Sequence, residues 1–365
     1  MRRASFWSAA GLLAWTQVGY PLALAALCPR PRNPWRPVDD DALPTVSLIV
    51  AAHAERDVIA DKVRNALALD YPREKLEIVV ACDGSTDGTP ELARQAGADV
   101  VLELPRGGKV ATQDAAVARS EADIVAFSDA NAMWEPGALR ALVAPFVADP
   151  EIGYVCGRVT FINPEGGDNQ EGAYWRYEMF LRQRESALAS VTAGNGAIYA
   201  VRREAYVNVD PVMGHDLKLP FTLVRNGWRC VEQPLARATE RMVPSLEGEA
   251  ARKRRMMSHA WPIVLRGGLL DPRGWPPAYT LMMISHRWLR YFAPLLHVIA
   301  LLAAPRPLRR LQLLGIALAF LPVGRFRPLL LARYYVRMQM SVALGLYDHL
   351  RHGTPPGWDP PEGTR

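Results

Sequence analysis

Four short apolar runs, each followed by an amphipathic segment, constrain the fold of this chain more than any other feature of its sequence. The apolar runs occupy residues 46–50, 76–81, 100–102 and 124–127. Apolar residues then recur at helical spacing in the segments that follow, 57–69, 89–96, 109–119 and 136–147. Strands that alternate with helices in this way form βαβ units around a parallel sheet, so we predict an α/β fold.

Polar side chains follow two of these predicted strands. In parallel sheets, ligands bind beyond the carboxyl ends of the strands. Asp83 follows the second strand in a turn of small and polar residues, where its carboxylate can accept hydrogen bonds from a base or a ribose. Asp129 and Asn131 follow the fourth strand, and oxygen atoms at positions i and i+2 can converge on a hard cation such as Mg²⁺ or Mn²⁺. A plain turn between strand and helix is the alternative at each position.

The formal net charge of +6 over 365 residues is unevenly distributed along the chain. Residues 37–250 carry an excess of acidic side chains, whereas residues 1–36 and 251–365 carry an excess of arginine. A nucleic-acid-binding domain would instead present a basic stripe with interleaved aromatic residues, so we expect no nucleic-acid partner. Basic residues beside apolar runs favour contact with membrane lipids. The four cysteines lack metal-binding spacing and are expected to be free thiols in a reducing compartment.

The N-terminal region is apolar and long enough to span a membrane. Residues 4–29 contain no charged side chain, and about 20 helical residues are enough to cross the hydrocarbon core of a bilayer. We therefore predict a transmembrane anchor within residues 1–36. A cleaved signal peptide and a buried core helix are the alternatives, although a signal peptide usually has a shorter apolar region.

The C-terminal region contains two further apolar stretches. Residues 291–305 and 311–324 carry no charge, but each is shorter than a usual transmembrane helix. Residues 325–351 are amphipathic and rich in arginine, which is typical of a helix that lies in the membrane interface. We predict membrane and interfacial helices over residues 276–350, in which the two stretches form either a hairpin of two spans or a re-entrant hairpin. A cytoplasmic tail over residues 351–365 would follow.

Several motifs, taken together, resemble those of a known enzyme family. The nucleotide-sugar-binding half of a family 2 glycosyltransferase is similar to three runs of this chain, 44–53, 83–89 and 127–131. Residues 193–203 resemble the acceptor-side glycine segment of that family, and residues 214–217 resemble the motif of its catalytic base. Residues 252–256 resemble the basic motif of its membrane-bound polysaccharide synthases, such as hyaluronan, chitin, cellulose and poly-N-acetylglucosamine synthases. The resemblance implies a GT-A (Rossmann-like) nucleotide-sugar-binding domain over residues 37–275, flanked by N- and C-terminal membrane helices.

By this resemblance, the donor is a UDP-sugar bound where Asp83 and Asp129 lie. Asp83 is expected to contact the uracil, and Glu55 matches an acid on the donor side. Asp129 would hold a divalent cation, Mg²⁺ or Mn²⁺, on the diphosphate, with Asn131 where the family often has a second acid. Lys109 matches a family lysine near the donor, and a solvated loop lysine is the alternative.

The resemblance also identifies candidate catalytic residues. Asp216 takes the position of the general base, with a helix N-cap as the alternative role. Arg252 and Arg255 take the positions of residues that contact the leaving diphosphate, with a membrane-surface charge cluster as the alternative. An inverting transfer needs a base for the acceptor hydroxyl and positive charge for the departing diphosphate. Arginine suits the second task because its planar fork matches pairs of phosphate oxygens.

Acceptor binding is expected at the glycine segment and at one aromatic residue. The segment contributes Gly194, Asn195 and Gly196, which resemble the acceptor side of the family. Trp175 can stack on a sugar ring, although aromatic residues at its spacing also serve as core residues or as anchors at the membrane interface.

We therefore expect a membrane-bound, metal-dependent, inverting glycosyltransferase that moves a sugar from a UDP-sugar to a glycan acceptor in cell-surface or extracellular polysaccharide synthesis. A lipid acceptor, such as a polyprenyl phosphate or a glycolipid, is the alternative. A non-catalytic nucleotide-sugar-binding subunit is a third hypothesis, motivated by departures from the family pattern at Ala54, Asn131, His215 and Met256. We expect a multi-pass protein of the cell membrane with its catalytic domain in the cytoplasm, where nucleotide sugars occur.

Overall fold

The computed structural model describes residues 2–28, 35–36, 38–162, 170–241, 246–320 and 327–357. Its strands are β1 (Val46–Ala52), β2 (Leu76–Asp83), β3 (Val100–Leu104), β4 (Ile124–Asp129), β5 (Met133–Trp134), β6 (Ile152–Ile162), β7 (Ile198–Arg202) and β8 (Arg229–Arg241). They form one eight-stranded sheet in the order β3-β2-β1-β4-β7-β6-β8-β5. The first four strands pair in parallel and coincide with the four predicted strands, so the predicted α/β fold is confirmed.

Helices precede, cover and follow the sheet. Their bounds are α1 (Arg2–Ala14), α2 (Tyr20–Leu27), α3 (Ile59–Leu67), α4 (Thr89–Ala96), α5 (Lys109–Arg119), α6 (Ala138–Ala148), α7 (Gln170–Leu188), α8 (His215–Arg225), α9 (Leu246–Leu265), α10 (Pro277–Met282), α11 (Leu289–Ala303), α12 (Arg306–Phe320) and α13 (Arg327–His352). Helices α3 to α6 lie in the four segments where the sequence predicts them. Their apolar stripes face the sheet, as on α3, where Ile59, Val63 and Ala66 are fully buried.

The core lies on both faces of the sheet. Successive residues of a strand point to opposite faces, and the fully buried pair Leu48 and Ile49 of β1 illustrates this alternation. Ile49 packs in the cluster that contains residues of α5 and α8, whereas Leu48 packs in the cluster that contains residues of α6. Full burial of one such side chain stabilises a fold by about 1.5–3 kcal/mol. The carboxyl ends of the parallel strands are therefore held rigidly.

The sheet changes direction beside β4. Strand β7 runs antiparallel to β4, with Ser128 paired to Ile198. The residues that precede Ile198 therefore reach the carboxyl end of β4. This register brings Gly196 next to Asp129, which the sequence places 67 residues apart in the chain.

The N-terminal helix is continuous over Arg2–Leu27, through a π-helical turn at Trp15–Gly19. Among the described residues, it is the one helix that is long and apolar enough to cross a membrane. One side of this helix packs on α11 in a small apolar cluster of Phe6, Ala9, Ala300 and Ala304. Its outward side chains include four large exposed apolar residues, Trp7, Val18, Leu22 and Leu27. The helix thus has the length and composition of the predicted anchor.

The predicted hairpin of two further spans is not supported. Helix α12 has 15 residues, which is about 22 Å of helix against a hydrocarbon core of about 30 Å. Helix α11 continues α10 through a π-helical turn at Met283–Trp288, and this longer helix contains Arg287 and Arg290. Two arginines before and at the start of α11 also turn inward. The Nε of Arg287 donates to the hydroxyl of Thr192 at 2.9 Å, and Arg290 forms an ion pair with Glu178. The end of the second predicted stretch, 321–324, lies outside the described residues.

The C-terminal helix α13 packs along α9. Gly345 permits the close approach, because a Cβ at this position would lie 2.6 Å from the Cβ of Met257. The indole N–H of Trp261 donates to the carbonyl of Val342 at 2.9 Å across the same contact. The predicted position of α13 in the membrane interface stays a prediction, and residues 358–365 of the predicted tail lie outside the described residues.

Candidate functional site

The predicted site residues gather at the carboxyl edge of the parallel strands. Asp83 ends β2 and Asp129 ends β4, and β1 lies between these strands. Two strand spacings separate the two carboxylate-bearing positions by about 10 Å. The segment 194–197 reaches the same edge from the antiparallel side, and Asp216 lies beside that segment in the first turn of α8. The edge therefore brings together residues from four distant parts of the chain.

The buried carboxylate of Asp83 binds the loop that follows β3. Its oxygens accept hydrogen bonds from the backbone N–H groups of Gly107 at 2.6 Å and Gly108 at 3.0 Å, and from Nη1 of Arg106 at 3.1 Å. Gly108 has a φ of +92°, a backbone conformation that favours glycine. Asp83 thus organises the loop, and its predicted contact with a base stays a prediction.

The last described residues of the chain lie on this same loop. A Cβ at Gly108 would be only 2.2 Å from the carbonyl oxygen of Pro356, so the two backbones are in direct contact. Thr354 ties the segment to α9, because its hydroxyl donates to the carbonyl of Ser258 at 3.0 Å. The sequence alone does not predict this contact. Pairing between such distant segments leaves no periodic signal in a sequence.

Lys109 and Asp129 form an ion pair near the centre of the edge. The ammonium of Lys109 donates to Oδ1 of Asp129 and also to the carbonyl oxygen of Gly196 at 3.4 Å. Burial alone would lower the pKa of Lys109, but the neighbouring Asp129 carboxylate outweighs burial and the pKa is raised. Gly196 leaves space for the pair, because a Cβ there would lie 3.3 Å from Nζ of Lys109. A cation bound to Asp129 would therefore compete with this ammonium.

Two charged side chains beside this pair were not predicted from the sequence. Lys62 of α3 is fully buried and donates to the carbonyl of Ala132 at 2.6 Å, and burial lowers its pKa to about 7. Glu240 of β8 has a buried carboxylate oxygen with no hydrogen-bond partner in the described part of the chain. Burial, and then the charge of Asp129, raise the pKa of Glu240 to about 7. Lys62 was identifiable in principle, because it lies on the apolar stripe of α3.

Asp216 is half-buried in the first turn of α8. Its backbone carbonyl accepts a hydrogen bond from the N–H of Gly194 at 2.7 Å, which ties the predicted base to the predicted acceptor segment. Residue 214 must be a glycine for the Asp216 side chain to keep this position, because a Cβ at Gly214 would lie 2.6 Å from Oδ1 of Asp216. The Asp216 charge also contributes to the raised pKa of Lys109, so the two groups lie near each other.

His215 is buried in the core beneath Asp216. Its Nδ1 lies 2.8 Å from the hydroxyl of Tyr199, and its Nε2 lies 3.8 Å from the carboxylate of Asp114. Burial, and then the charge of Lys109, lower the pKa of His215 to about 3. The imidazole is therefore neutral at neutral pH and packs against aromatic rings of the core.

We expect acid to destabilise the wild-type protein more than a His215→Gln variant. The pKa of His215 is about 3 in the folded protein and 6.5 in an unfolded chain, so the unfolded state binds the extra proton between these values. The stability from this group is complete above its unfolded pKa and is lost as the pH falls through that window. Between about pH 7 and pH 4.5, the free energy of unfolding should fall by roughly 2–3 kcal/mol more in the wild type. Parallel pH profiles in denaturant titrations would contradict this.

The glycine segment 194–196 is held by the side chain of Asn195 and by Arg182 of α7. The amide nitrogen of Asn195 donates to the carbonyl of Gly157 at 2.8 Å, and its amide oxygen accepts from two backbone N–H groups of the following turn. Nη2 of Arg182 donates to the carbonyl of Gly194 at 2.7 Å. The Asn195 amide therefore shapes the segment, and its predicted contact with an acceptor stays a prediction.

The basic motif 252–255 divides between two faces of α9. The guanidinium of Arg252 lies 5.6 Å from the centroid of the Phe161 ring, and its charge acts on Glu240. Arg255 follows Arg252 by three residues, so both lie on the same side of the helix. The other two basic residues contact α13 in the pairs Lys253–Tyr334 and Arg254–Asp348. The predicted catalytic role of Arg252 and Arg255 stays a prediction.

The described residues contain no group of three histidine, cysteine or acidic side chains able to hold a metal ion. Asp129 and Asn131 nevertheless supply oxygen atoms at this edge, and Glu55 follows β1 with its N–H donating to the hydroxyl of Thr89 at 2.9 Å. Mg²⁺ commonly completes its coordination shell with water and substrate phosphates. The edge therefore fits a divalent cation that shares its ligands with a diphosphate, and the unpartnered oxygen of Glu240 lies nearby.

Comparison with known proteins places these residues in context. The profile of a family described as "Glycosyltransferase like family 2" matches residues 44–258. The chain is 28% identical to a beta-monoglucosyldiacylglycerol synthase of Nostoc sp. over 235 residues, which cover 61% of this chain and 50% of that protein. It is 25% identical to a poly-beta-1,6-N-acetyl-D-glucosamine synthase of Staphylococcus aureus over 209 residues, 54% of this chain and 50% of that protein. The chain thus spans about half the length of the curated relatives it matches.

A solved structure has a similar overall shape. It is a mannosyltransferase from Pyrobaculum calidifontis in complex with GDP-Man and Mn²⁺. The superposition has a TM-score of 0.74 and covers 96% of this chain and 99% of that chain, at 24% sequence identity. The two chains therefore share a fold over nearly their whole lengths.

Proposed function

This chain belongs to the family 2 glycosyltransferases and has their GT-A fold, and on this premise we propose that it transfers a sugar from a nucleotide-sugar donor to an acceptor hydroxyl, with inversion at the anomeric carbon. One observation carries the proposal. Lys109 and Asp129 meet beside Gly196 at the carboxyl edge of the sheet, and the backbone of Asp216 bonds to Gly194 in the same segment. This edge is where parallel α/β sheets bind their ligands.

Asp216 is the proposed general base. Its half-buried carboxylate lies next to the segment expected to hold the acceptor, and it takes the proton from the acceptor hydroxyl as that oxygen attacks the anomeric carbon. The N–H of Gly194 donates to the backbone carbonyl of this residue and holds the first turn of α8 against the segment. The residue at the N-cap of α8 is Gly214, which leaves the Asp216 side chain in the first turn rather than at the cap.

The leaving diphosphate is stabilised by positive side chains. Lys109 provides a half-buried ammonium at the edge, and Arg252 and Arg255 lie on α9. We propose that Asp129 and Asn131 hold Mg²⁺ or Mn²⁺ on the diphosphate. A bound divalent cation neutralises charge that develops on departing phosphate oxygens. Asp83, with the loop it organises, and Glu55 flank the place proposed for the nucleoside.

The nucleotide of the donor and the chemical class of the acceptor are also proposed. A UDP-sugar is the proposed donor, and a GDP-sugar is the alternative because the Pyrobaculum calidifontis mannosyltransferase was solved with GDP-Man. The acceptor is a glycan or a lipid, as the names of the two curated relatives indicate for those proteins. Gly194, Asn195, Gly196 and Trp175 are the proposed acceptor-side residues.

A membrane location is proposed from the apolar surface of the chain. The helix Arg2–Leu27 is the proposed anchor. Large exposed apolar side chains continue on α11 and α12, at Leu295, Leu302, Leu311 and Leu314. Surfaces of this kind are rare on proteins that face only water. We propose that these helices contact lipid and that the catalytic domain faces the cytoplasm, where nucleotide sugars occur.

A donor-hydrolysis screen tests this function directly. The purified full chain in detergent is incubated with a panel of UDP-sugars and GDP-sugars, with and without Mn²⁺, and release of the nucleoside diphosphate is measured. We expect release from one nucleotide class, and only with the metal. Nucleotide binding without hydrolysis or transfer for every donor and every acceptor fraction would favour the non-catalytic subunit instead.

A further inference from the structure

A cleft of about 330 Å³ opens along one face of α7. It is lined by Arg158, Trp175, Arg176, Met179, Phe180, Gln183 and Arg184. We call it the arginine cleft. Its lining combines three arginines with two aromatic rings and one thioether, and it includes no acidic residue. This composition suits a ligand that is anionic at one point and apolar at another.

Two of the three arginines that line the cleft lie on α7. Arg158 is held by Glu232, with Nη2 and Oε2 2.9 Å apart, so its charge is largely balanced. Arg176 is exposed and has no hydrogen-bond or ion-pair partner in the described part of the chain. The guanidinium of Arg184 lies 3.7 Å from the centroid of the Phe180 ring, and its Nη1 donates to the carbonyl of Phe180 at 3.3 Å. Arg176 and Arg184 are eight residues apart, about 12 Å along the helix axis, so a phosphate-bearing headgroup must lie between the two long side chains to contact both.

The cleft lies next to the proposed acceptor segment. Trp175 is fixed by a 2.8 Å hydrogen bond from its indole N–H to the carbonyl of Val159 on β6. Two residues earlier on the same strand, the carbonyl of Gly157 accepts the amide of Asn195 at 2.8 Å. The neighbouring Gly194 donates to the backbone carbonyl of Asp216. Trp175 of the cleft and Asn195 of the acceptor segment are therefore held by neighbouring carbonyls of one strand.

The cleft also lies next to the proposed membrane anchor. Phe180 lines the cleft and packs against the apolar cluster that joins α7 to α2, which contains Tyr20, Leu24 and Leu181. The hydroxyl of Tyr177, three residues before Phe180 on the same helix, donates to backbone carbonyls of the anchor at 3.3 Å. The anchor therefore contacts α7 next to the cleft residue Phe180. A ligand whose tail lies in lipid can reach the cleft without leaving the membrane surface.

We propose that the arginine cleft binds the phosphate of a lipid-linked saccharide acceptor, which rests on the proposed glycosyl transfer. The phosphate or diphosphate that joins sugar to lipid contacts Arg176 and Arg184, the first part of the lipid chain lies on Trp175 and Phe180, and the sugar extends towards Gly194. In the transfer, the acceptor hydroxyl oxygen forms the new bond to the anomeric carbon. The bond from that carbon to the diphosphate breaks, the nucleoside diphosphate leaves, and Asp216 takes the hydroxyl proton.

Binding of simple probes tests the cleft without knowledge of the sugar. Farnesyl phosphate and uncharged farnesol are titrated against the full chain in neutral detergent. We expect the wild type to bind farnesyl phosphate at least tenfold more tightly than farnesol. Arg176→Gln with Arg184→Gln should remove this preference, because charge-assisted hydrogen bonds to phosphate are lost. Arg176→Gln alone, at an exposed position that the fold tolerates, should remove part of it.

A matched variant separates the cleft from general membrane charge. Arg306→Gln with Arg310→Gln removes two exposed arginines of α12, next to apolar helices but outside the cleft. This variant should keep the full preference for farnesyl phosphate. An equal loss in both double variants, or equal binding of both probes by the wild type, would overturn the proposal. Effective competition by phosphatidylglycerol would instead indicate a site for bulk anionic lipid, which also contradicts an acceptor site.

Donor hydrolysis and binding of the lipid probes distinguish a loss of the cleft from a loss of sugar transfer. Acceptor-independent donor hydrolysis should be unchanged in the Arg176→Gln, Arg184→Gln variant, because neither residue belongs to the donor edge. With a phosphate-linked saccharide acceptor, its KM should rise at least tenfold while kcat changes little. A wild type that hydrolyses no donor would contradict the proposed transfer, yet the probe titrations would still decide whether the cleft binds a phosphate-bearing lipid.

Discussion

Asp216→Asn is expected to lower the rate of sugar transfer by a factor of 10² or more, roughly the contribution of a general base. The amide keeps the size of the carboxylate but cannot take the proton of the acceptor hydroxyl. The backbone contact from Gly194 and the close position of Gly214 do not depend on the charge, so the first turn of α8 should keep its geometry. Affinity for the nucleoside diphosphate should therefore change little.

The two quantities are measured on the same preparation, transfer rate by product formation and nucleotide affinity by calorimetry. Asp210→Asn is a matched control, because Asp210 is an exposed acid six residues earlier whose Oδ1 accepts a backbone N–H. The control should keep wild-type turnover. Near-wild-type turnover in Asp216→Asn would remove this residue from the mechanism and would favour a structural role in the first turn of α8.

The parallel half of the fold was predictable because the spacing of apolar residues within short segments indicates its strands and helices. Apolar runs of strand length alternate with helical stripes, and each buried stripe such as that of α3 leaves a repeat in the sequence. The positions of Asp83 and Asp129 at strand ends follow from the same pattern. The approach of Gly196 to Asp129 did not follow from it, because it depends on the pairing of β4 with β7 across many intervening residues.

The remaining features of the site depend on tertiary contacts that no local pattern reports. An aspartate at the end of a strand is typical of a ligand contact, yet the carboxylate of Asp83 accepts hydrogen bonds from the backbone of Gly107 and Gly108. Glu240 looks like any polar residue of a strand, and only its burial beside Asp129 raises its pKa to about 7. Lys62 is different, because a lysine on the buried apolar stripe of α3 is visible in the sequence as a charged residue at a core position.

Asp129→Asn is expected to abolish both sugar transfer and its dependence on Mg²⁺ or Mn²⁺. The substitution removes the carboxylate proposed to hold the cation, and loss of a metal worth several kcal/mol of charge stabilisation lowers the rate by about 10²–10³ or more. It also removes the partner of the half-buried Lys109 ammonium, so the pKa of Lys109 should fall and the fold should lose some stability. Thermal unfolding must therefore be recorded with every activity measurement.

The wild type supplies the complementary test, because chelation removes the cation without altering any side chain. Transfer by the wild type should stop in excess chelator and recover when Mn²⁺ is returned, whereas Asp129→Asn should respond to neither step. Glu135→Gln is a suitable control, since this exposed acid lies six residues after Asp129 and outside the edge. Full activity of the wild type in excess chelator would contradict the metal site. In that case the Lys109–Asp129 ion pair is part of the working site, and Lys109 with Arg252 and Arg255 must stabilise the leaving diphosphate alone.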